Sequence, residues 1–141
     1  MNFEEKLKKK TRGRAFYYSF QDVAWAARYE GIRKAGFINS DILKLSEVKI
    51  EDAEKLIIDI LSTDLCYKSK VMSKHSAREL AKEFIAQQDK QVRFFTNSNV
   101  PYRSDESSWS FTPITEATID TGLMTKVGKQ LDSMLWVADI D

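Results

Sequence analysis

The chain has 141 residues, 43% of them hydrophobic and 30% charged, a balance that suits one ordinary domain able to bury roughly two thirds of its unfolded surface. Five glycines and two prolines argue against a low-complexity or disordered chain, and the longest apolar runs, such as Met134 to Ala138, fall far short of the ~20 residues that cross a bilayer. The net charge of +1 hides a division: residues 1–103 hold 20 Lys+Arg against 14 Asp+Glu, whereas residues 104–141 hold 2 against 7, so a basic body precedes an acidic C-terminal part.

In chain order, FEEKLKKK at residues 3–10 sets Phe3 and Leu7 four apart and predicts a short helix that Gly13 breaks. GRAFYYS supplies an added N-terminal strand. Ser19 with Asp22 reads as a capping box and Gly36 suits the left-handed position after a last turn, which predicts a helix from about Phe20 to Ala35. It carries Phe20, Val23, Ala24, Ala27 and Gly31 on one stripe and Trp25, Tyr29 and Ile32 on a second. A helix from about Ile50 to Ser62 follows, with Ile50, Ala53, Leu56, Ile57, Ile60 and Leu61 on one face and Glu51, Asp52 and Glu54 in its first turn, where the helix dipole favours acids. The next runs from about Ala77 to Gln88 behind the capping pair Ser76 and Glu79, with Leu80, Ala81, Phe84 and Ile85 pointing inward.

From Gln91 the period changes. QVRFFT is a short strand, NSNVPYRSDESS a polar loop, and ATIDTGLMTKV, GKQLD and SMLWVADI form a hairpin with a Gly-containing turn of moderate length. Ile119, Thr121, Leu123, Thr125 and Val127 share one sheet face. With no repeat and no linker, the expectation is a single α+β domain over 1–141: three main amphipathic helices followed by a small antiparallel sheet with a C-terminal hairpin.

The chemistry-bearing residues are few. MNFEEKLKKKTRGRAF has basic residues but no apolar segment behind them, so the expected location is cytoplasmic. Cys66, the one cysteine, has no disulfide partner and reads as a small buried hydrophobe. His75, the one histidine, removes multi-histidine zinc sites and sits beside a helix start, where an imidazole is solvated. No catalytic constellation, metal site or cofactor motif emerges. As one alternative, Asp120, Asp139 and Asp141 with Glu116 nearby converge if the hairpin pairs, with Lys126 on the neighbouring strand, and hold a metal for phosphoryl transfer; neither GxGxxG nor GKS/T accompanies them. As another, Lys6, Lys8, Lys9, Lys10, Arg12 and Arg14 form a basic arm leading into Phe16, Tyr17, Tyr18 and Phe20, a pattern suited to phosphates and unpaired bases.

The C-terminal part carries SSW at Ser107 to Trp109, PITEATID at Pro113 to Asp120, the apolar TGLM and the closing LWVADID. Over residues 107–141 this resembles the C-terminal half of small bacterial immunity proteins encoded beside polymorphic or contact-dependent toxins, and of some mobile-cassette proteins. The resemblance implies a non-enzymatic cytoplasmic inhibitor, without cofactor, that covers the active site of one cognate toxin domain. Its contact residues would be Tyr102 and Trp109 as anchors, with Asp105, Glu106, Asp120, Asp139 and Asp141 complementing a basic nuclease cleft. Trp136 is either a third anchor or, from its apolar strand, part of the core.

Overall fold

A computed structural model describes residues 2–20, 45–64, 69–97, 119–128 and 130–139. Helix α1 (Phe3–Lys10) begins where the Asn2 side chain accepts the Glu5 amide at 2.8 Å, and it buries Phe3 and Leu7. It ends at Thr11, whose hydroxyl donates to the Leu7 carbonyl and accepts the Ala15 amide. Arg12 and Gly13 then take left-handed backbone angles, φ 54° and 83°, and turn the chain into strand β1 (Ala15–Ser19). The short helix, its break and the N-terminal strand are all as the sequence predicts.

Phe20 is not helical: its amide donates to the Asp132 carbonyl at 2.8 Å, extending the β1 ladder by one residue. The rest of the helix expected to Ala35 lies outside the described residues. Strand β2 (Ser46–Val48) is too short for alternation in the sequence to reveal it. Helix α2 (Ile50–Ser62) has the predicted ends and buries Ala53, Leu56, Ile57, Ile60 and Leu61 at 3- and 4-residue intervals. Ile50 is the exception on that face, 47% exposed at the first helical position. Helix α3 (Lys74–Ala86) starts three residues before the predicted Ala77, because Ser73 and not Ser76 is the N-cap and accepts the Ser76 amide at 3.1 Å.

Strands β3 (Arg93–Thr96), β4 (Ile119–Val127) and β5 (Gln130–Asp139) complete an antiparallel sheet in the order β1-β5-β4-β3-β2. The fold class is α+β, but strands and helices interleave, since β1 and β2 precede α2 and close the two edges of the sheet. The hairpin turn is also tighter than expected. Val127 pairs with Gln130, so the residues assigned to a longer turn belong to β5, and Gly128 has φ 63°.

The sheet separates two cores. On the helix side, Ala15, Val48, Phe94, Leu123, Leu135 and Val137 pack against α1, α2 and α3. On the other side Met124, Met134, Trp136 and Phe20 form a second buried cluster. Trp136 is fully buried and so belongs to the core. Thr121, Leu123 and Thr125 are buried as a set on the expected face, with a register shift between Thr125 and Lys126.

Polar groups on the helix side are joined. Thr125 and Ser133 hydroxyls lie 2.7 Å apart, Ser133 donates to the Gln88 side chain, and Gln88 donates to the Phe84 carbonyl at the end of α3. Tyr17 of β1 sets its phenol beside this network, near Ser19, Ser133 and Gln88. Burial raises the Tyr17 phenol above its ordinary 10.0, with the Asp132 charge adding to the rise and those polar neighbours opposing it. The folded chain therefore keeps this proton to higher pH than the unfolded one. The stability it contributes is intact below pH 10.0 and declines as pH climbs towards the raised folded value. Denaturant midpoints measured from about pH 9 to 11 should fall less steeply in Tyr17→Phe than in the parent chain. Equal slopes would show that Tyr17 does not carry this proton linkage.

Candidate interaction surface

Pairing of β4 with β5 fixes the C-terminal acids that are described. Asp120 lies opposite Ala138 and Asp139 opposite Ile119, on adjacent rungs at the end of the hairpin away from the turn. Their strands are the second and third of five, but among the described residues the pairing with β1 ends at Val137 and that with β3 at Met124, so the β4–β5 ladder alone holds the two positions, and on adjacent rungs they belong to opposite faces of the sheet. Tyr102, Asp105, Glu106, Trp109, Glu116 and Asp141 lie outside the described residues, as does Cys66.

Lys126 does not join these acids. It stands on β4 itself, six residues from Asp120, about 20 Å along a strand. There it pairs with Leu131 and Arg93, and its ammonium sits 4.7 Å from the Phe95 ring centre. Arg93 stacks on the same ring at 5.4 Å, donates to the Gly128 carbonyl and pairs with Glu47 at 3.5 Å. Among the described residues no three His, Cys, Asp or Glu side chains are grouped as a metal would need. His75 is exposed in the first turn of α3.

The basic arm is divided by the fold. Arg14 points inward, its guanidinium 3.4 Å and 3.3 Å from the carbonyls of Ile60 and Thr63, where the end of α2 concentrates partial negative charge. Lys6 is bound to Glu83 of α3 at 3.0 Å. Lys8, Lys9, Lys10 and Arg12 remain exposed. The aromatics that follow do not form a stacking platform. Tyr17 and Phe20 are committed to the two cores, Phe16 is packed against the second, and only Tyr18 is exposed, at 37%.

A set of cations not singled out from sequence lies on α3. Lys74, Arg78 and Lys82 are all exposed and follow one another at four-residue intervals, which aligns them along one side of a helix. Lys82, Lys6 and Lys10 border a groove of about 430 Å³ between α1 and α3, with Glu79 and Glu83 between them. By contrast, α2 holds Glu51, Asp52, Glu54 and Asp59 against one Lys55. The helical layer is thus basic at α1 and α3 and acidic at α2. A second open cleft of about 450 Å³ lies between the start of α2 and the α3–β3 connection, with Ile50, Val92 and Phe94 among its walls and Lys49, Asp89, Lys90 and Arg93 at its rim.

No helix among the described residues is long and apolar enough to cross a membrane. No protein-family model matches the chain, and neither a curated protein nor a solved structure matches it.

Proposed function

We propose that the chain is a non-enzymatic protein-binding module of the toxin-immunity type, which inhibits a cognate partner by laying its acidic C-terminal surface over a basic active-site cleft. The observation that carries this reading is the hairpin register. Two acids separated by 19 positions in the sequence, Asp120 and Asp139, are brought by the β4–β5 pairing onto adjacent rungs at one end of the hairpin, where, on opposite faces of the sheet, they border that end from its two sides. Fixed positions lower the ordering cost of binding and favour a defined charge complement over a diffuse acidic tail. Tyr102, Asp105, Glu106, Trp109 and Asp141 are the further contact residues of the proposal, and the resemblance of residues 107–141 to immunity proteins names the partner class.

The test is affinity isolation of the tagged chain from its host, followed by reconstitution with the purified partner. A stoichiometric protein partner is expected, whose own activity the chain suppresses. Charge reversal by Asp120→Lys with Asp139→Lys should weaken that complex by a hundredfold or more, the size expected for close interfacial charge pairs. A complex indifferent to both reversals would overturn the reading. So would substrate turnover by the chain alone that Asp120→Ala abolishes.

A further inference from the structure

We infer that the outer faces of α1 and α3 form a docking surface for the phosphate backbone of a nucleic-acid duplex, with Lys10, Lys74, Arg78 and Lys82 as its contacts. This goes beyond the toxin-binding reading and uses a different part of the molecule. Lys74, Arg78 and Lys82 are spaced by about 6 Å of helix rise per step, so they present a row of cations and not a single charged point. Lys82 also borders the α1–α3 groove, which Lys10 flanks from the other helix.

The acids there do not cancel the row. Glu83 is held by Lys6, and Glu4 and Glu5 lie in the first turn of α1, at the opposite end of that helix from Lys10, leaving Glu79 beside four exposed cations. Across the layer, the acids of α2 would repel a polyanion and so orient it onto α1 and α3.

Two features select the ligand. Among the described residues the exposed large hydrophobics are Tyr18 and Ile50, and neither belongs to α1 or α3. A protein partner would be expected to find aromatic or aliphatic anchors, and a single strand would be expected to find stacking platforms. A surface offering flexible cations alone suits the regular phosphates of a duplex, where affinity comes from counterion release and carries little sequence preference.

The test is binding of the full chain to labelled DNA and RNA duplexes of random sequence, titrated over a series of salt concentrations. Four phosphate contacts give a log–log salt slope of about −3.6 for B-DNA. The triple substitution Lys74→Ala, Arg78→Ala and Lys82→Ala should reduce that slope by about one per residue and weaken low-salt binding by tenfold or more. Because these side chains are exposed, the thermal midpoint should stay close to that of the parent. Lys8 lies two residues from both Lys6 and Lys10, about 200° round the helix, so Lys8→Ala should change little.

Failure of the parent chain to bind either duplex would overturn the inference, as would binding that survives the triple substitution. An equal loss on Lys8→Ala would move the contact to the N-terminal arm and overturn it too, as would a preference for polyglutamate over both duplexes. None of these outcomes bears on the toxin-binding reading, which is scored by Asp120 and Asp139 in the reconstituted protein complex.

Discussion

Replacing Gly122 by alanine is expected to destabilise the fold by about 3 kcal/mol or more, the upper end of what overpacking a core produces. Gly122 lies opposite Trp136 in the β4–β5 ladder. A Cβ there would overlap the Leu135 carbonyl oxygen and come within 2.7 Å of Trp136 Cα and 2.8 Å of the indole Cε3. A free indole would turn away, but Trp136 is fully buried, and two of the three obstacles are backbone atoms that no rotamer relieves. The two central strands must separate or the residue must leave its place. Gly13→Ala is the control. Its φ is 83° but nothing lies within 4 Å of the added carbon, so only the left-handed backbone is penalised, by about 1 kcal/mol. Chemical denaturation of both variants measures the contrast. A Gly122→Ala midpoint no lower than that of Gly13→Ala would mean that the strands are not packed this closely.

The same rung shows what pattern reading reaches and where it stops. Alternation through β4 and β5 marks a hairpin and places Thr121, Leu123 and Thr125 on one face, because burial on one side of a sheet imposes a period of two. It does not show that glycine at 122 makes room for a tryptophan 14 residues later, since that pairing exists only once the register is set. Helix α2 is legible to the residue because its apolar side chains repeat at helical spacing over 13 positions. Helix α3 is misplaced at its start for a local reason: Ser73 and Ser76 both fit a cap, and in the fold Ser73 takes the role by accepting the Ser76 amide. The strand β2 is invisible because three residues carry no period. Among the charges, the run of lysines in α1 attracts attention in the linear sequence, yet Lys6 and Arg14 are taken up by Glu83 and by the end of α2. The more coherent row, Lys74, Arg78 and Lys82, was equally available at four-residue spacing but is dispersed when charges are sought as contiguous runs.

Phe84→Ala should cost about 3 to 5 kcal/mol, and its consequences reach the proposed phosphate surface. Phe84 is fully buried and holds three elements together. Its ring meets Tyr17 of β1 edge-on at 5.9 Å and lies 6.2 Å from Phe3 of α1, while Phe3 and Tyr17 meet edge-on at 5.3 Å. Each such ring pair adds about 0.5 to 1.5 kcal/mol beyond the area it buries, so Phe84→Ala combined with Phe3→Ala should fall short of additivity by a comparable amount. The neighbouring ion pair supplies the comparison. Lys6 and Glu83 are 38% and 35% exposed, and Lys6→Met should cost no more than about 1 kcal/mol because solvent screens the pair. The apolar triad, and not the salt bridge above it, therefore sets the position of α1 against α3. If so, Phe84→Ala measured below its lowered melting transition should weaken duplex binding without removing any cation, because Lys10 and Lys82 no longer face one groove at a fixed separation. A variant that loses no more stability than Lys6→Met, or a double mutant that is strictly additive, would show that the three rings do not act together.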